Sequence, residues 1–406
     1  MTLSALTDYD EQMLTELAAT AGGLLSHFAE AGFVRVEPPM IEPADVFLDR
    51  SGEEIRRRTF IFTDPAGAEL ALRPDLTIPV CRHYVRAGGD RLSYSGTAFR
   101  VPRAGAEAQF TETGIEWFGE TDKPRADAEV LALTRAALQA AGLETAPVTM
   151  GDIGLFHAFV DTLDMPERWR ARMKRRFWRP SEFAKLIDNL AEDGTPVPQS
   201  GAQAGGGFVA ALAALDDVEA RRAAVSDLLA LADVKPAGGR SAEDIAERLL
   251  DQAEDRAADA LSPAIVERIH AFMAINGPVT EALDQLKALE TGSKDSFAYA
   301  VRDLTARLDA LEARGIEPGT LRFATTFGRQ MDYYTGFVFE VRLDGLGPLG
   351  QIAGGGRYDR LIGDLGGADV PAVGAMIRPE RLIRALNEKE KKKHSDYSDN
   401  PNFGIY

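Results

Sequence analysis

Residues 329–340 constrain this chain more than any other segment, because charged and aromatic side chains stand there directly before a strand pattern. Arg329, Tyr333 and Tyr334 lie within six residues, and alternating apolar residues follow them. Glycines 354–356 come soon afterwards and allow close approach to the backbone, although such a run also suits a sharp bend. A packed core does not need so many hydrogen-bonding groups and so little bulk. The pattern therefore indicates a pocket for a small zwitterion.

Length and composition limit the class of protein. A chain of 406 residues can bury a large core and predicts two or three domains. We expect no membrane span, because no apolar run approaches about 20 residues. We also expect no secretory signal, because the N-terminus lacks a basic region before an apolar stretch. The single cysteine, Cys81, excludes an intramolecular disulfide and predicts a small buried side chain in a reducing cytoplasm.

Charge and histidine spacing argue against two kinds of site. The chain has 46 basic and 63 acidic residues, and its net charge of −17 repels a phosphate backbone. We therefore expect no nucleic acid as the main partner. The histidines are His27, His83, His157, His270 and His394, and their scatter gives no metal-ligand spacing. We expect no metal site and no cofactor.

One segment departs from the acidic average. Residues 168–179 contain seven basic residues interleaved with Trp169, Phe177 and Trp178. This pattern resembles an anion-binding or nucleic-acid-binding helix. It equally fits an amphipathic helix whose aromatic side chains pack inward, or a docking surface for an acidic partner, and these two interpretations are favoured.

Hydrophobic periodicity and breaker residues predict an α+β chain. The predicted strands cover residues 33–37, 59–63, 68–73, 91–100, 108–118, 321–326, 336–343 and 371–377, with another beginning at 148, and the predicted helices cover 8–31, 77–87, 126–142 and 379–387. A glycine-rich joint at 200–207 precedes a long stretch without strand signals. We predict a discontinuous core domain of residues 1–200 and 320–388, a helical insertion at 201–319, and a flexible tail at 389–406.

Three strand-end segments carry candidate binding side chains. Asp75 and Thr77 follow a strand and a proline, so both can face a bound ammonium group; alternatively, Asp75 caps the next helix. Arg100 ends another strand and can clamp a carboxylate or phosphate, or lie in solvent. Period-two alternation places Glu112 and Glu116 on one strand face, which lines a pocket or faces water.

The segment at 329–340 adds an anion clamp and an aromatic wall. Arg329 is a second candidate for the clamp. Tyr333 and Tyr334 are adjacent, so we expect them to point to opposite faces, with one in the pocket and the other in the core.

Five segments in order resemble the motifs of the histidyl-tRNA synthetase family, a class II aminoacyl-tRNA synthetase family. They are residues 32–39, 99–116 and 374–382 for the three class motifs, and 72–77 and 329–340 for the two histidine-recognition segments. The resemblance covers residues 8–160 and 320–387. It implies a class II synthetase-like antiparallel sheet flanked by helices, with the helical insertion between its halves.

Departures from the synthetase pattern indicate a different role. No anticodon-binding domain follows the third motif, Ala106 and Ala108 stand where arginines are expected, and Arg378 replaces a glycine under the adenine ring. The resemblance therefore implies lost ATP handling with retained amino-acid recognition. That combination is similar to the regulatory subunits of ATP phosphoribosyltransferase. It implies a non-catalytic, allosteric homodimer within a hetero-oligomer, paired with the short-form catalytic subunit and linked to feedback by L-histidine in histidine biosynthesis.

The resemblance also assigns roles to single residues. It places Asp75 and Thr77 at the ammonium group of histidine, and Glu112 near the same group in place of a glutamine. It places Arg100 at the carboxylate, with Arg329 near that carboxylate and Tyr333 beside it. It places Glu116 and Tyr334 at the imidazole. Two other functions stay open. Arg100, Arg329 and Arg381 are compatible with a histidine-activating enzyme without an anticodon domain, and a free histidine sensor needs no catalytic partner.

Overall fold

The structure is a computed structural model, and it describes residues 8–48, 56–102, 107–177, 179–192, 260–290, 296–328 and 333–398. Helices and strands are numbered in chain order within these ranges. The chain forms two compact units: a larger one of Met1–Ala158 with Ile275–Tyr406, and a smaller one of Phe159–Ala274.

The larger unit begins with α1, whose first turn is capped by the Asp10 carboxylate, which accepts a hydrogen bond from the Met13 amide. Its first part contains α1 (Glu11–Glu30), β1 (Val34–Arg35), β2 (Ile41–Pro43), α2 (Asp45–Leu48), β3 (Ile61–Thr63), β4 (Glu69–Leu72), α3 (Thr77–Ala87), β5 (Arg91–Phe99), β6 (Gln109–Phe118), α4 (Lys123–Ala140), β7 (Val148–Asp152) and α5 (Ile153–Asp161). The chain passes into the smaller unit within α5.

The smaller unit is helical in its described part. It contains α6 (Glu167–Arg176), α7 (Pro180–Glu192) and α8 (Pro263–Ala274). The aromatic side chains of the basic segment pack inward, since Trp169 and Phe177 are buried. Lys174 pairs with Asp161 on the flank of α6. The segment is therefore an amphipathic helix; Trp178 lies outside the described residues.

The larger unit resumes at a short edge strand. Its second part contains β8 (Asn276–Pro278), α9 (Val279–Ala288), α10 (Ser296–Glu312), β9 (Leu321–Ala324), β10 (Phe337–Arg342), β11 (Gln351–Arg357), α11 (Leu361–Asp364), β12 (Ala372–Ile377) and α12 (Pro379–Ser398), with 3-10 turns at Pro318–Thr320 and Asp344–Leu349. Within the residues described, no helix is long and apolar enough to cross a membrane.

Unit boundaries differ from the predicted domains. The smaller unit begins at Phe159 instead of residue 201 and ends at Ala274 instead of residue 319. The helices α9 and α10 belong to the larger unit, where the side chain of Arg307 on α10 is buried. The predicted flexible tail is helical as far as Ser398. The predicted glycine-rich joint lies outside the described residues.

Nine strands of the described part form one sheet in the order β1-β5-β6-β12-β11-β10-β7-β9-β8. The β1–β5 and β7–β9 pairs are parallel, and the other pairs are antiparallel. A smaller sheet has the order β2-β4-β3. The predicted α+β class is confirmed, but the large sheet is mixed instead of antiparallel throughout.

The strand β11 contains the glycine run and was not predicted as a strand. It lies between β10 and β12 in the middle of the sheet. A Cβ atom on Gly356 would lie 2.7 Å from the ring of Tyr334, and one on Gly355 would overlap the carbonyl oxygen of Gly374. Glycine is therefore required here because neighbouring groups already occupy the space of a side chain.

A buried ion network ties helices α4 and α10 to the sheet. The Asp127 carboxylate, fully buried on α4, lies 2.9 Å from Nη2 of Arg307 and 2.6 Å from Nη2 of Arg357. Arg307 also reaches Asp152 at 3.2 Å, and Arg357 reaches Asp359 at 2.8 Å. Each charge in this network is matched by an opposite charge, as burial requires.

Replacing Asp127 by alanine is expected to lower the free energy of unfolding by about 3–5 kcal/mol, because two buried arginines lose their shared partner. Urea denaturation monitored by circular dichroism measures the change. The matched control is Glu37→Ala, which removes an ion pair whose carboxylate side chain is 78% exposed, and a change under about 1 kcal/mol is expected there. Equal losses in the two variants would contradict a structural role for the network.

Candidate functional site

A small cavity that is partly open to solvent brings most of the predicted binding residues together. Its walls come from β6, β11, β12, the start of α3 and the turn before β10. The lining residues are Asp75, Thr77, Glu112, Glu116, Tyr333, Tyr334, Gly354, Tyr358, Gly374, Ala375 and Met376.

The Asp75 carboxylate has two roles at the start of α3. Its Oδ1 accepts a hydrogen bond from the Ile78 amide at 3.1 Å, as a helix-capping group does. Its Oδ2 is buried and has no hydrogen-bond partner among the described residues. Burial, together with the nearby Glu112 carboxylate, raises the pKa of Asp75 to about 6. Oδ1 thus bonds to the start of the helix, as the capping interpretation expects, and Oδ2 is available to a ligand ammonium.

The Glu116 carboxyl group lies on the floor of the cavity and is 1% exposed. It accepts hydrogen bonds from the hydroxyl groups of Tyr358 and Tyr94, the latter at 3.3 Å. Burial raises the pKa of Glu116 to about 8, although the hydroxyl hydrogen bonds oppose that shift. A side chain on Gly374 would overlap Oε2 of Glu116. The group can therefore exchange one proton with a ring nitrogen or donate to it near neutral pH.

Three tyrosines form the aromatic wall. The ring centroids of Tyr333 and Tyr334 lie 4.9 Å apart, and that of Tyr358 lies 5.8 Å from Tyr333. The expectation that Tyr333 and Tyr334 point to opposite faces was wrong, because both line the cavity. They precede β10 in a turn, where strand alternation does not apply. Tyr358 was missed; its only sequence signal is its position directly after the glycine strand.

Glu112 lies between the cavity and two arginines. Its Oε1 lies 3.2 Å from Nη1 of Arg378 and 3.4 Å from Nη2 of Arg100. Both guanidinium groups lie over the ring of Phe110, at 3.4 Å for Arg378 and 5.2 Å for Arg100. Burial lowers the pKa of Arg378 to about 9, and Glu112 opposes that shift.

The two predicted anion clamps are not part of the described cavity wall. Arg100 lies next to it, but its Nε donates to the Pro74 carbonyl at 2.6 Å and its Nη2 faces Glu112. Arg329 lies outside the described residues. Of the predicted site residues, the structure thus brings together Asp75, Thr77, Glu112, Glu116, Tyr333 and Tyr334. These groups suit a small ligand with an ammonium group at one end and an aromatic ring at the other.

The stability of the protein should depend on pH through Glu116. The pKa of this carboxyl group is about 8 in the folded protein, whereas its ordinary value is 4.5. Its contribution to the free energy of unfolding is therefore fully present below pH 4.5 and is lost as the pH rises towards 8. Relative to wild type, Glu116→Gln should therefore become more stable between pH 5 and 8, by up to about 1.4 kcal/mol per pH unit. Urea unfolding at each pH measures this difference.

The control for this comparison is Glu37→Gln, because the Glu37 side chain is 78% exposed. The free energy of unfolding of this variant should differ from that of wild type by the same amount at every pH in this range. A constant difference for Glu116→Gln as well would show that Glu116 titrates at its ordinary pKa in the folded protein.

Comparisons with known proteins identify the family of the chain. The family model for histidyl-tRNA synthetase matches residues 5–257 and 225–382. The chain is 35% identical to an ATP phosphoribosyltransferase regulatory subunit from Sinorhizobium medicae, over 93% of this chain and 100% of the relative. It is 36% identical to the regulatory subunit from Mesorhizobium japonicum, over 93% of this chain and 99% of that relative.

Solved structures show the same fold. An ATP phosphoribosyltransferase regulatory subunit/histidyl-tRNA synthetase from Bacillus halodurans superposes with a TM-score of 0.65 at 22% identity, covering 94% of this chain and 82% of that one. A histidine–tRNA ligase subunit from Alicyclobacillus acidocaldarius superposes with a TM-score of 0.58 at 24% identity, covering 95% of this chain and 97% of that one. The fold is that of class II aminoacyl-tRNA synthetases. With its curated relatives matched over nearly their whole length, this chain belongs to the family of ATP phosphoribosyltransferase regulatory subunits.

Proposed function

We propose that this chain is the histidine-sensing, non-catalytic subunit of a cytoplasmic ATP phosphoribosyltransferase. It assembles with a short-form catalytic subunit and controls the first step of histidine biosynthesis. The observation that supports this role is the cavity itself, whose lining combines the carboxyl groups of Asp75 and Glu116 with three tyrosine rings. Family membership supports the identity of the partner.

L-Histidine suits the cavity in one orientation. Its ammonium group lies against Oδ2 of Asp75 and the hydroxyl of Thr77, and its imidazole lies beside Tyr334 with a ring nitrogen at Glu116. The carboxylate then points towards Arg100 and the segment containing Arg329. A charged hydrogen bond of this kind contributes about 1.5–3 kcal/mol.

The absence of catalysis follows from the Arg378 side chain. Its guanidinium group lies 3.4 Å from the centre of the Phe110 ring, and the synthetase resemblance places a glycine under the adenine ring at this position. Displacing it would leave the Glu112 carboxylate without one of its two buried partners. The chain therefore retains an amino-acid site beside a position from which a nucleotide base is excluded.

The regulatory mechanism is allosteric coupling between the cavity and the partner. Histidine favours one state of this chain, and that state lowers transfer by the bound catalytic subunit. We expect a homodimer of this chain within the hetero-oligomer, as the synthetase resemblance implies.

Mixing the chain with a short-form catalytic subunit should give a larger complex on gel filtration. It should also raise the rate of phosphoribosyl transfer from PRPP to ATP, and L-histidine should reduce that rate. The chain alone should catalyse no histidine-dependent pyrophosphate exchange. The absence of both a complex and rate enhancement would refute the proposed partner, and clear exchange activity would favour a histidine-activating enzyme.

Glu116→Ala should weaken L-histidine binding roughly ten- to a hundredfold, because the imidazole loses the carboxyl group that can pass its proton to the ring and pair with the resulting imidazolium. Isothermal titration calorimetry measures the affinity, and a thermal melt verifies folding. Glu37→Ala serves as the control and should bind histidine as the wild type does. If the Glu116 variant folds and binds with unchanged affinity, histidine occupies a different site.

A further inference from the structure

The Glu112 carboxylate is shared between the cavity and the protein interior. It lines the cavity and is 2% exposed, yet its Oε1 already faces Arg378 at 3.2 Å and Arg100 at 3.4 Å. A ligand ammonium arriving near Asp75 therefore meets a second carboxylate that two guanidinium groups already neutralise.

Arg378 is the more strongly fixed of the two arginines. It is 5% exposed, it follows β12 directly, and its guanidinium group packs against Phe110 at 3.4 Å. Arg100 has a further partner in the Pro74 carbonyl at 2.6 Å, whereas Glu112 is the ion-pair partner of Arg378 in the described part of the chain. Arg378 and Glu112 thus depend on each other.

Arginine side chains compete with a ligand ammonium for the carboxylates near the cavity. Arg73, Arg100 and Arg378 are positive and partly or fully buried near Glu112. Asp75 and Glu112 oppose them, while burial holds Glu116 largely protonated at neutral pH by raising its pKa to about 8. An ammonium group that reaches Glu112 must therefore compete with the two guanidinium groups that already pair with this carboxylate.

We infer that Arg378 sets the affinity of the cavity for ammonium-bearing ligands by holding the Glu112 carboxylate away from them. Removing the arginine charge releases Glu112 towards the cavity and strengthens binding. This inference rests on the proposed function, because it takes L-histidine as the ligand of the cavity. It assigns a specificity-determining role to a residue that makes no contact with the cavity itself.

Arg378→Met is the variant that isolates this effect. Methionine has a flexible apolar side chain that can cover Phe110 without a charge. The expected result is binding of L-histidine about tenfold tighter than in wild type. Arg378→Gln is a second variant, because its amide can still bond to Glu112, and it should show a smaller increase in affinity.

A double-mutant cycle assigns the increase to Glu112. In the Glu112→Gln background, Arg378→Met should leave the affinity unchanged, because no carboxylate remains to be released. Histamine serves as a second probe, since it carries the ammonium group and the imidazole but no carboxylate, and so does not depend on Arg100 or Arg329. The increase in affinity caused by Arg378→Met should be similar for L-histidine and histamine.

Calorimetry on the full chain, with thermal melts and near-UV circular dichroism for each variant, tests the inference. Arg384→Met is the matched control, because Arg384 lies on α12, the helix that begins directly after Arg378, and pairs with Glu107 at a distance of 2.8 Å; it should bind as wild type does. Tighter binding by folded Arg378 variants that disappears with Glu112→Gln supports the inference.

Unchanged or weaker binding by folded Arg378 variants overturns the inference and leaves the proposed ligand intact. The same gain with and without Glu112 also overturns it. If neither wild type nor any Arg378 variant binds L-histidine, the proposed ligand is refuted first, and the role of Arg378 is refuted with it.

Discussion

The buried Glu116 carboxyl group is the interaction on which the cavity depends. It is held by hydroxyl groups from Tyr94 on β5 and Tyr358 after β11, and it lies over Gly374 on β12. Four strands therefore meet at one polar group. Without the glycine, the carboxyl could not lie flat on the sheet, and without the phenols its burial would cost several kcal/mol. The lining residues on β6, β11 and β12 take their positions from this arrangement of strands.

Local sequence signals predicted much of this site. The helix at residues 77–87 was placed correctly, because a proline and a polar strand end precede a regular apolar pattern. Alternation along β6 correctly put Glu112 and Glu116 on one face, since strand geometry fixes a period of two. These successes share one property: each depends only on neighbours within a few residues along the chain.

What sequence reasoning missed depends on distant partners. Glycines reduce the apparent strand propensity of β11, and only the neighbouring Tyr334 ring and the backbone of β12 explain why they are required. In the Asp127 network, Arg307 lies 180 positions and Arg357 lies 230 positions along the chain from Asp127, so no local pattern reveals it. That network also reaches the cavity, because the Arg357 carbonyl accepts a hydrogen bond from the Thr335 amide at 2.8 Å and so fixes the turn that carries Tyr333 and Tyr334.

Three carboxyl groups surround one small cavity, and burial disfavours the charged form of each. The fold offsets this cost differently for each group. Asp75 places one oxygen on a helix amide, Glu116 retains its proton between two phenols, and Glu112 is neutralised by two arginines. Glu112 and Glu116 are thereby stabilised by the protein's own partners, whereas Oδ2 of Asp75 is left for a ligand. A ligand must then compete with those partners, which keeps its binding reversible, and a feedback signal needs that reversibility because it must respond to a changing concentration.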